Sequence, residues 1–319
     1  MSGQAPGGHT IKESEANNAN GVLSQDEDHL LAPFEYIRER AGKKVRTKLA
    51  MAFNEWMQIP EQKLSQIMDI VELLHNASLM IDDIEDNSVL RRGQPCTHRI
   101  YGIARTINSA NYVYFIAQQR CLALGETVAK IFTEQMLELH RGQGKEIFWR
   151  DSVVCPSESE YETMVLQKTG GLFMLAIRSM QVFSNVPEQK DFTSLLRNLA
   201  VYFQIRDDYL NLCSADMHAA KSYAEDLTEG KFSYPIIKAI KSKAAGNDDE
   251  VLNILRQRTE DIELKKFCVS LIQSRGAFDS TLARLKELAA DIMENVQQLG
   301  ENTQIMQLID LLNKDLIAS

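Results

Sequence analysis

Two groups of acidic residues lie at helical spacing inside apolar segments of the sequence. They consist of Asp82, Asp83 and Asp86 in the first group, and of Asp207, Asp208 and Asn211 in the second. Residues i and i+4 of a helix share a face, with Cβ atoms about 6 Å apart. Two ionised carboxylates at that spacing repel by about 3 kcal/mol at an effective dielectric constant near 20, a cost that a divalent cation would reverse.

Each group alone is typical of a solvated helix face, because acidic residues are common on protein surfaces. The second group, however, lies in the apolar stretch LAVYFQIRDDYLNL, where carboxylates are costly to bury without cations. Two such groups can face one another across a helical bundle. A hard ion such as Mg²⁺, which prefers oxygen ligands, would then connect them to the phosphate oxygens of a bound ligand.

Basic residues occur in short clusters beside both acidic groups. The clusters contain Lys43, Lys44 and Arg46, then Arg91 and Arg92, then Lys168, and finally Lys231. Each cluster alone is typical of a solvated turn. The formal net charge of -9 argues against a nucleic-acid surface, and it means that an anionic ligand needs a local group of cations.

Helical patterns dominate the chain around these residues. Apolar residues recur at i, i+3, i+4 and i+7 from Ile67, which predicts an amphipathic helix leading into the first acidic group. Ser157 with Glu160 three residues later is a capping box, so a helix is expected to run from there to the paired glycines Gly170-Gly171. We predict an all-α fold, one large helical bundle of about ten to fourteen helices.

Composition sets the domain boundaries and the expected location. Residues 1–28 contain almost no large apolar side chain and are predicted to form a disordered arm, while residues 29–319 form a single domain. The apolar stretches are too short for a membrane-spanning helix, and neither a signal peptide nor a prenylation site is recognised. Five cysteines without a CxxC pair indicate reduced thiols, so we expect a cytoplasmic protein.

The two acidic groups resemble the two aspartate-rich motifs of trans-prenyl diphosphate synthases. Further blocks carry the resemblance in chain order, namely GKKVR, DDIEDNSVLRRGQPCTHRIYG, NYVYF, ELHRGQGKEIFWRD, MVLQKTGGLF, FQIRDDYLNL and EDLTEGKFSYPI. They are most similar to the geranylgeranyl-type synthases of animals and fungi. The resemblance implies an all-α isoprenoid synthase fold and a prenyltransferase that condenses farnesyl or a shorter allylic diphosphate with isopentenyl diphosphate to make geranylgeranyl diphosphate.

The resemblance also implies roles for individual residues. Three Mg²⁺ ions per active site are expected on the carboxylates of Asp82, Asp83, Asp86 and Asp207. The allylic diphosphate would be bound by Arg91, Lys168 and Lys231. Isopentenyl diphosphate would be bound by Lys43, Arg46, His75 and Arg92. The allylic cation would be stabilised by Thr169 and Gln204. Asn211 departs from the family's DDxxD pattern, which leaves it unassigned as a ligand.

Product length would be set by an apolar tunnel below the first acidic group. The small residues Ala77 and Ser78 would leave this tunnel open, where short-chain enzymes carry aromatic residues. Tyr114, Phe115 and His140 resemble a floor that stops growth near twenty carbons. Ordinary core packing is the alternative role for all five positions. On the tunnel hypothesis, Ala77→Phe shortens the main product to fifteen carbons.

Other functions share part of this pattern. A farnesyl diphosphate synthase would differ in product alone. A terpene cyclase or a head-to-head condensing enzyme also carries paired acidic motifs, although cations for a second diphosphate disfavour a cyclase. A catalytically silent subunit of a prenyl synthase is disfavoured because the acidic and basic residues are intact. The resemblance also implies at least a homodimer.

Overall fold

The computed structural model describes residues 28–40, 45–187, 190–213, 223–242 and 249–317. Within these ranges the chain forms fifteen α-helices and one pair of short strands, which confirms the predicted all-α class. The helix number exceeds the predicted range, because two helices of five residues each are too short for periodicity to reveal. Residues 1–27 of the predicted arm lie outside the described residues, and Asp28 begins the first helix.

The first half of the chain supplies nine helices and the hairpin. The helices are α1 (Asp28–Arg38), α2 (Val45–Met57), α3 (Glu61–Glu85), α4 (Thr97–Tyr101), α5 (Ile103–Leu124), α6 (Glu126–Ser152), α7 (Glu158–Lys168), α8 (Gly170–Val182) and α9 (Thr193–Cys213). Strands β1 (Leu90–Arg91) and β2 (Gln94–Pro95) pair antiparallel between α3 and α4.

The second half adds six helices within the described ranges. They are α10 (Glu225–Glu229), α11 (Tyr234–Lys241), α12 (Glu250–Gln257), α13 (Ile262–Ser274), α14 (Ala277–Gln298) and α15 (Thr303–Ile317). No helix among the described residues is both long and apolar enough to cross a membrane.

Helix α3 carries the first acidic group at its carboxyl end. Its buried face includes Ile67, Ile70 and Val71, as the apolar spacing predicts. The helix ends at Glu85, and Asn87 follows in the left-handed region with a φ of 54°. Carboxylates at a helix carboxyl end are disfavoured by the helix dipole, so this cluster requires cations around it.

Helix α7 begins at the predicted capping box. The side chain of Ser157 accepts a hydrogen bond from the backbone of Glu160, whose side chain returns one to the backbone of Ser157. The helix ends at Lys168, and α8 starts two residues later at Gly170. Thr169 alone separates the two helices, so the predicted break before the paired glycines is confirmed.

The core consists of one large apolar cluster and one smaller cluster. The large cluster runs from Leu49 on α2 to Leu316 on α15. The smaller cluster joins α1, α3 and α5 and includes Phe34, Ala77 and Val113. Helix α3 packs against α5 and α8, α6 packs against α7 and α8, and α9 packs against α7, α8 and α14. This packing brings the carboxyl ends of α3, α7 and α9 to one region.

Candidate active site

One large cavity opens between the helices that carry the two acidic groups. Its volume of about 850 Å³ lies within the range of small-molecule sites. Its wall includes Asp82 and Asp86 from α3 and Asp207 from α9. The other predicted binding residues on this wall are His75, Arg91, Arg92, Lys168, Thr169, Gln204 and Lys231. The two acidic groups therefore face a shared space that cations also border.

Asp82 is surrounded by hydrogen-bond donors. Its Oδ1 atom accepts from Lys168 Nζ and from Gln143 Nε2, each at 3.1 Å. Its Oδ2 atom lies 3.5 Å from the guanidinium of Arg91. Burial alone would raise the pKa of Asp82, but the positive charges of Lys168 and Arg91 outweigh burial and hold it below the usual range.

Asp86 has a different electrostatic environment on the same helix face. Arg150 Nη1 donates to its Oδ1 atom at 2.7 Å. Burial raises the pKa of Asp86, and the nearby charges of Asp82 and Glu229 raise it further. This carboxylate therefore gains the most from an additional positive charge in the cavity.

Asp83 faces away from the cavity. Its side chain is 1% exposed, and its Oδ1 atom accepts from Arg91 Nε at 2.7 Å. Adjacent residues of a helix point about 100° apart, and here Asp82 lines the cavity whereas Asp83 does not. The assignment of Asp83 as a magnesium ligand does not fit this placement. Asp83 instead fixes the guanidinium of Arg91.

In the second acidic group, too, one aspartate faces the cavity and its neighbour is buried. Asp207 lines the cavity and is exposed, whereas Asp208 is 1% exposed. The donors to Asp208 are Tyr161 Oη at 2.5 Å, Gln204 Nε2 and the backbone N–H of Tyr234, each at 2.9 Å, and Lys231 Nζ at 3.3 Å. Asp208 is therefore a buried support that holds Lys231 in place.

Asn211, the position that departs from DDxxD, lies in the protein interior. It is 3% exposed, and its Oδ1 atom accepts the backbone N–H of Asp226 at 3.1 Å. This bond anchors α10, from which Asp226 and Glu229 reach the cavity wall. Sequence analysis missed both carboxylates, although they lie within two turns of the predicted Lys231.

Helix α6 contributes a polar stripe that sequence analysis also missed. Gln143, Glu146 and Arg150 recur at i, i+3 and i+7 and face α3 and α7. Glu146 is 9% exposed, its carboxylate accepts from Lys168, and it lies 4.0 Å from Lys231 Nζ. Burial alone would raise the pKa of Glu146, but the two lysines lower it. The spacing was visible in the sequence, but it is also typical of a solvated face.

The two cavity lysines remain charged although both side chains are partly buried. Burial alone would lower the pKa of Lys168, but Asp82 and Glu146 raise it. Burial has the same effect on Lys231, whose pKa is raised chiefly by Asp208. Both ammonium groups are therefore held by fixed carboxylates at the cavity wall.

The β-hairpin presents two predicted arginines. Its turn consists of Arg92 and Gly93, with φ values of 55° and 75°. Positive φ at both turn residues suits a type I′ turn, the usual turn of a tight hairpin. Arg91 then contacts Asp83, and Arg92 donates to the backbone carbonyl of Arg40.

The residues predicted to bind a second diphosphate are only partly described. His75 and Arg92 line the cavity. Arg46 lies in the first turn of α2, but its side chain lies outside the described part of the structure. Lys43 lies outside the described residues altogether.

Two further cations line the cavity and were not predicted. Lys48, on α2, is exposed and has no hydrogen-bond or ion-pair partner among the described residues. Arg206, on α9, donates from Nε to the carbonyl of Leu312 on α15 at 3.3 Å. Lys48 lies two residues after the predicted Arg46, which was the available signal in the sequence.

Thr169 and Gln204 form a connected pair on the cavity wall. The hydroxyl of Thr169 donates to Gln204 Oε1 at 2.7 Å, and Gln204 Nε2 donates to Asp208 Oδ1 at 2.9 Å. The buried carboxylate of Asp208 thus fixes the orientation of both side chains.

The predicted tunnel residues fall into two sets. Ser78, Tyr114 and His140 line the cavity, and the rings of Tyr114 and His140 meet edge to face at 6.2 Å. Ala77 is 0% exposed and packs in the smaller core cluster, and Phe115 is 68% exposed on the outside of α5. Neither Ala77 nor Phe115 lines this cavity, and their assignment to the tunnel stays a prediction.

Comparison with known proteins identifies the family. The sequence model of the polyprenyl synthetase family matches residues 27–272. The chain belongs to the polyprenyl synthetase family. A protein named geranylgeranyl pyrophosphate synthase from Gibberella zeae is 52% identical over 277 residues, covering 86% of this chain and 74% of that protein.

Two other relatives cover nearly the whole chain. A geranylgeranyl pyrophosphate synthase from Dictyostelium discoideum is 45% identical over 296 residues, covering 92% of this chain and 96% of that protein. A protein named terpene synthase from Matsumurasca onukii is 53% identical over 300 residues, covering 93% of this chain and 97% of that protein. Relatives that are about equally identical to this chain therefore carry different functional names.

The carboxylates of this polyprenyl synthetase suit a metal that is shared with a substrate. Among the described residues, no group of three or more His, Cys, Asp and Glu side chains could hold a metal ion by itself. Mg²⁺ is commonly bound by one or two carboxylates together with substrate phosphates and water. Asp82, Asp86 and Asp207 fit this arrangement, because they face a common space that also contains cations suited to phosphate.

Proposed function

We propose that this polyprenyl synthetase condenses an allylic diphosphate, with farnesyl diphosphate as the longest starter, with isopentenyl diphosphate to form geranylgeranyl diphosphate. The observation that carries the proposal is one cavity that combines carboxylates from two helices with two sets of cations. Two diphosphates bound at once require two such sets. The names of the fungal and Dictyostelium relatives support the same product.

The allylic diphosphate is proposed to lie between the two acidic groups. Asp82, Asp86 and Asp207 would hold Mg²⁺, with three ions per site expected from the family resemblance. The bound ions would neutralise the negative charge that grows on the diphosphate as the carbon–oxygen bond breaks. The protein supplies Lys168, Lys231 and Arg91, whose ammonium and guanidinium groups bind and orient the same diphosphate.

The reaction then needs no covalent bond to the enzyme. The electrons of the broken bond leave with the diphosphate, and an allylic cation forms. The double bond of isopentenyl diphosphate attacks this cation, a carbon–carbon bond forms, and a proton passes to the released diphosphate. Thr169 and Gln204 present oxygen dipoles that stabilise the cation, and their orientation is fixed through Asp208.

The second diphosphate is proposed to bind Lys43, Arg46, His75 and Arg92. The presence of His75 and Arg92 on the cavity wall supports this assignment. The growing chain would extend past Ser78 towards Tyr114 and His140, whose rings contact each other and are proposed to limit its length.

A homodimer is proposed as the working form. Ile103, Ile107, Phe115 and Leu122 are exposed apolar residues on a single face of α5. Leu137 and Phe148 extend an exposed apolar surface on the neighbouring α6. Several exposed apolar residues on two neighbouring helices are consistent with a subunit interface. The proposed location is the cytoplasm, a reducing compartment that suits five free cysteines.

One experiment tests the reaction against its alternatives. The purified chain is incubated with Mg²⁺ and farnesyl diphosphate, with and without isopentenyl diphosphate, and the products are separated by chromatography. We expect geranylgeranyl diphosphate and inorganic diphosphate only when both substrates are present. Farnesyl diphosphate that is not elongated in the presence of isopentenyl diphosphate contradicts the proposal.

A terpene synthase is the second candidate function, because the Matsumurasca relative carries that name. Such an enzyme converts one allylic diphosphate and needs no cations for a second. Lys48, which has no hydrogen-bond or ion-pair partner among the described residues, lines the same cavity as His75 and Arg92, and this extra positive charge is better explained by prenyl transfer. In the same assay, a hydrocarbon or alcohol released from farnesyl diphosphate alone would support the second candidate.

A further inference from the structure

Helix α6 contains two glycines, Gly142 and Gly144, whose surroundings differ sharply. A Cβ atom built on Gly142 would lie 2.4 Å from the backbone nitrogen of Lys168 and 2.9 Å from the carbonyl oxygen of Met164. A Cβ atom on Gly144 would meet nothing within 4 Å. The close contact of Gly142 is with backbone atoms of α7, which cannot move aside by a side-chain rotation.

Backbone conformation does not explain Gly142. The residue lies inside a continuous helix and is absent from the positive-φ glycines of the described chain. Glycine is a poor helix former, so its presence in a helix interior calls for a packing reason. The distance to Lys168 supplies that reason, because only hydrogen fits between α6 and the last turn of α7.

The end of α7, whose backbone packs directly against Gly142, carries two residues of the cavity wall. Lys168 is the last residue of α7, and its Nζ atom bonds to Asp82 at 3.1 Å and to Glu146. Thr169 follows directly and donates to Gln204 at 2.7 Å. A methyl group at position 142 would have to push this backbone outward by roughly 1 Å to reach ordinary contact distance.

We propose that Gly142 is a positioning residue, which places Lys168 and Thr169 at the cavity wall by letting α7 end directly against α6. The proposal rests on the proposed function for its kinetic consequence, but its geometric consequence concerns binding of a magnesium diphosphate. A misplacement of about 1 Å at a reacting site commonly costs about 100-fold in rate.

The kinetic test compares Gly142→Ala with the matched control Gly144→Ala. We expect Gly142→Ala to lower kcat about 100-fold and to raise KM for the allylic diphosphate, while KM for isopentenyl diphosphate changes less than about twofold. Gly144→Ala is expected to keep both constants, with an equal or higher Tm because alanine is the better helix former. A loss of folded protein alone would lower kcat without changing either KM.

A double-mutant cycle with Lys168→Ala tests the route of the effect. If Gly142 acts through Lys168, then Gly142→Ala costs at least tenfold less in kcat/KM in the Lys168→Ala background than in the wild type, by an estimate from the size of coupling between contacting residues. Equal losses in both backgrounds would overturn the proposal. Failure of Gly142→Ala to fold while Gly144→Ala folds would also overturn it, because the glycine would then serve the fold itself.

A binding measurement separates this proposal from the proposed reaction. Calorimetry with inorganic diphosphate and Mg²⁺ is carried out on the wild type and on both alanine variants. Weaker binding by Gly142→Ala but not by Gly144→Ala supports the positioning role, even if the wild type forms no prenyl product. Equal binding by all three proteins contradicts it.

Discussion

The two acidic groups share one spacing but differ in how their carboxylates are paired. In the first group, Asp82 contacts Lys168 and Gln143, and Asp86 contacts Arg150. In the second group, Asp207 is exposed and has no hydrogen-bond or ion-pair partner among the described residues. The first group is therefore held in position by protein cations, whereas Asp207 is available to a ligand without breaking an existing contact.

A deeper likeness lies in the second residue of each pair. Asp83 and Asp208 are both 1% exposed, and each binds a cation that lines the cavity, Arg91 in one case and Lys231 in the other. Each group thus consists of an aspartate that faces the cavity and a neighbour that supports a cavity cation. The adjacent residues Asp207 and Asp208 allow this division to be tested.

The largest expected effect is on stability, at Asp208. Asp208→Ala removes a buried acceptor of four hydrogen bonds and leaves the partly buried Lys231 without its nearest carboxylate. We expect the free energy of unfolding to fall by about 3–5 kcal/mol, the usual cost of breaking a buried ion pair. The matched change Asp207→Ala should shift it by less than about 0.5 kcal/mol, as at other exposed sites. Denaturant unfolding measures both, and equal losses would end the distinction between the two residues.

The next effect is on catalysis, at Asp207. Asp207→Ala is expected to lower kcat about 100- to 1000-fold, the usual cost of removing one electrostatic contact to the transition state. The Tm should stay close to that of the wild type, because the side chain is exposed and makes no contact with the described residues. Steady-state kinetics at saturating Mg²⁺ gives the measurement. A variant with wild-type kcat would mean that the second acidic group contributes only its buried member.

The sequence predicted the helices and the two acidic groups, because both depend on spacing along the chain. Apolar periodicity located α3, and the capping box located the start of α7. The sequence did not distinguish Asp82 from Asp83. One helical position rotates a side chain by about 100°, and only the packing of the neighbouring helices decides which of the two side chains faces the cavity.

A related reason explains why some site residues were not predicted from the sequence. Glu146 on α6 and Asp226 on α10 line or approach the site because of tertiary packing. In the sequence, charged residues at helical spacing are as expected on a solvated face as beside a buried lysine. The partner Lys168 lies on another helix, and no local pattern joins it to Glu146.

The sequence also does not show which of the adjacent residues Ala77 and Ser78 faces the tunnel. Measuring product length in variants of each residue can distinguish them. Ser78→Phe is expected to fill the cavity below Asp82 and to shift the main product from twenty to fifteen carbons, because Ser78 lines the cavity. Ala77→Phe is expected instead to destabilise the fold by about 1–3 kcal/mol through overpacking of the smaller core cluster. Chromatography of products and thermal unfolding of both variants decide the matter. A shorter product from Ala77→Phe without loss of stability would return Ala77 to the tunnel.

The smallest expected effect concerns Lys48, a cavity lysine that contacts no carboxylate among the described residues. Lys168 and Lys231 are bound to Asp82 and Asp208, whereas Lys48 borders the same cavity without a partner among the described residues. A cation without a fixed counter-ion attracts an incoming anion most directly, so Lys48 is expected to assist the second diphosphate. Lys48→Ala should raise KM for isopentenyl diphosphate about tenfold, equal to about 1.4 kcal/mol, and leave KM for the allylic substrate unchanged.

Two control variants make this last test specific. Lys48→Arg keeps the charge and should stay within about threefold of the wild type, by an estimate from the loss expected without the charge. Lys286→Ala removes an exposed lysine from α14, which supplies no residue of the cavity wall, and should change neither KM. Because a charge effect of this kind is screened by salt, the difference between Lys48→Ala and the wild type should shrink as ionic strength rises. A salt-independent difference, or an equal rise in both KM values, would mean that Lys48 acts on the shape of the cavity and not through its charge.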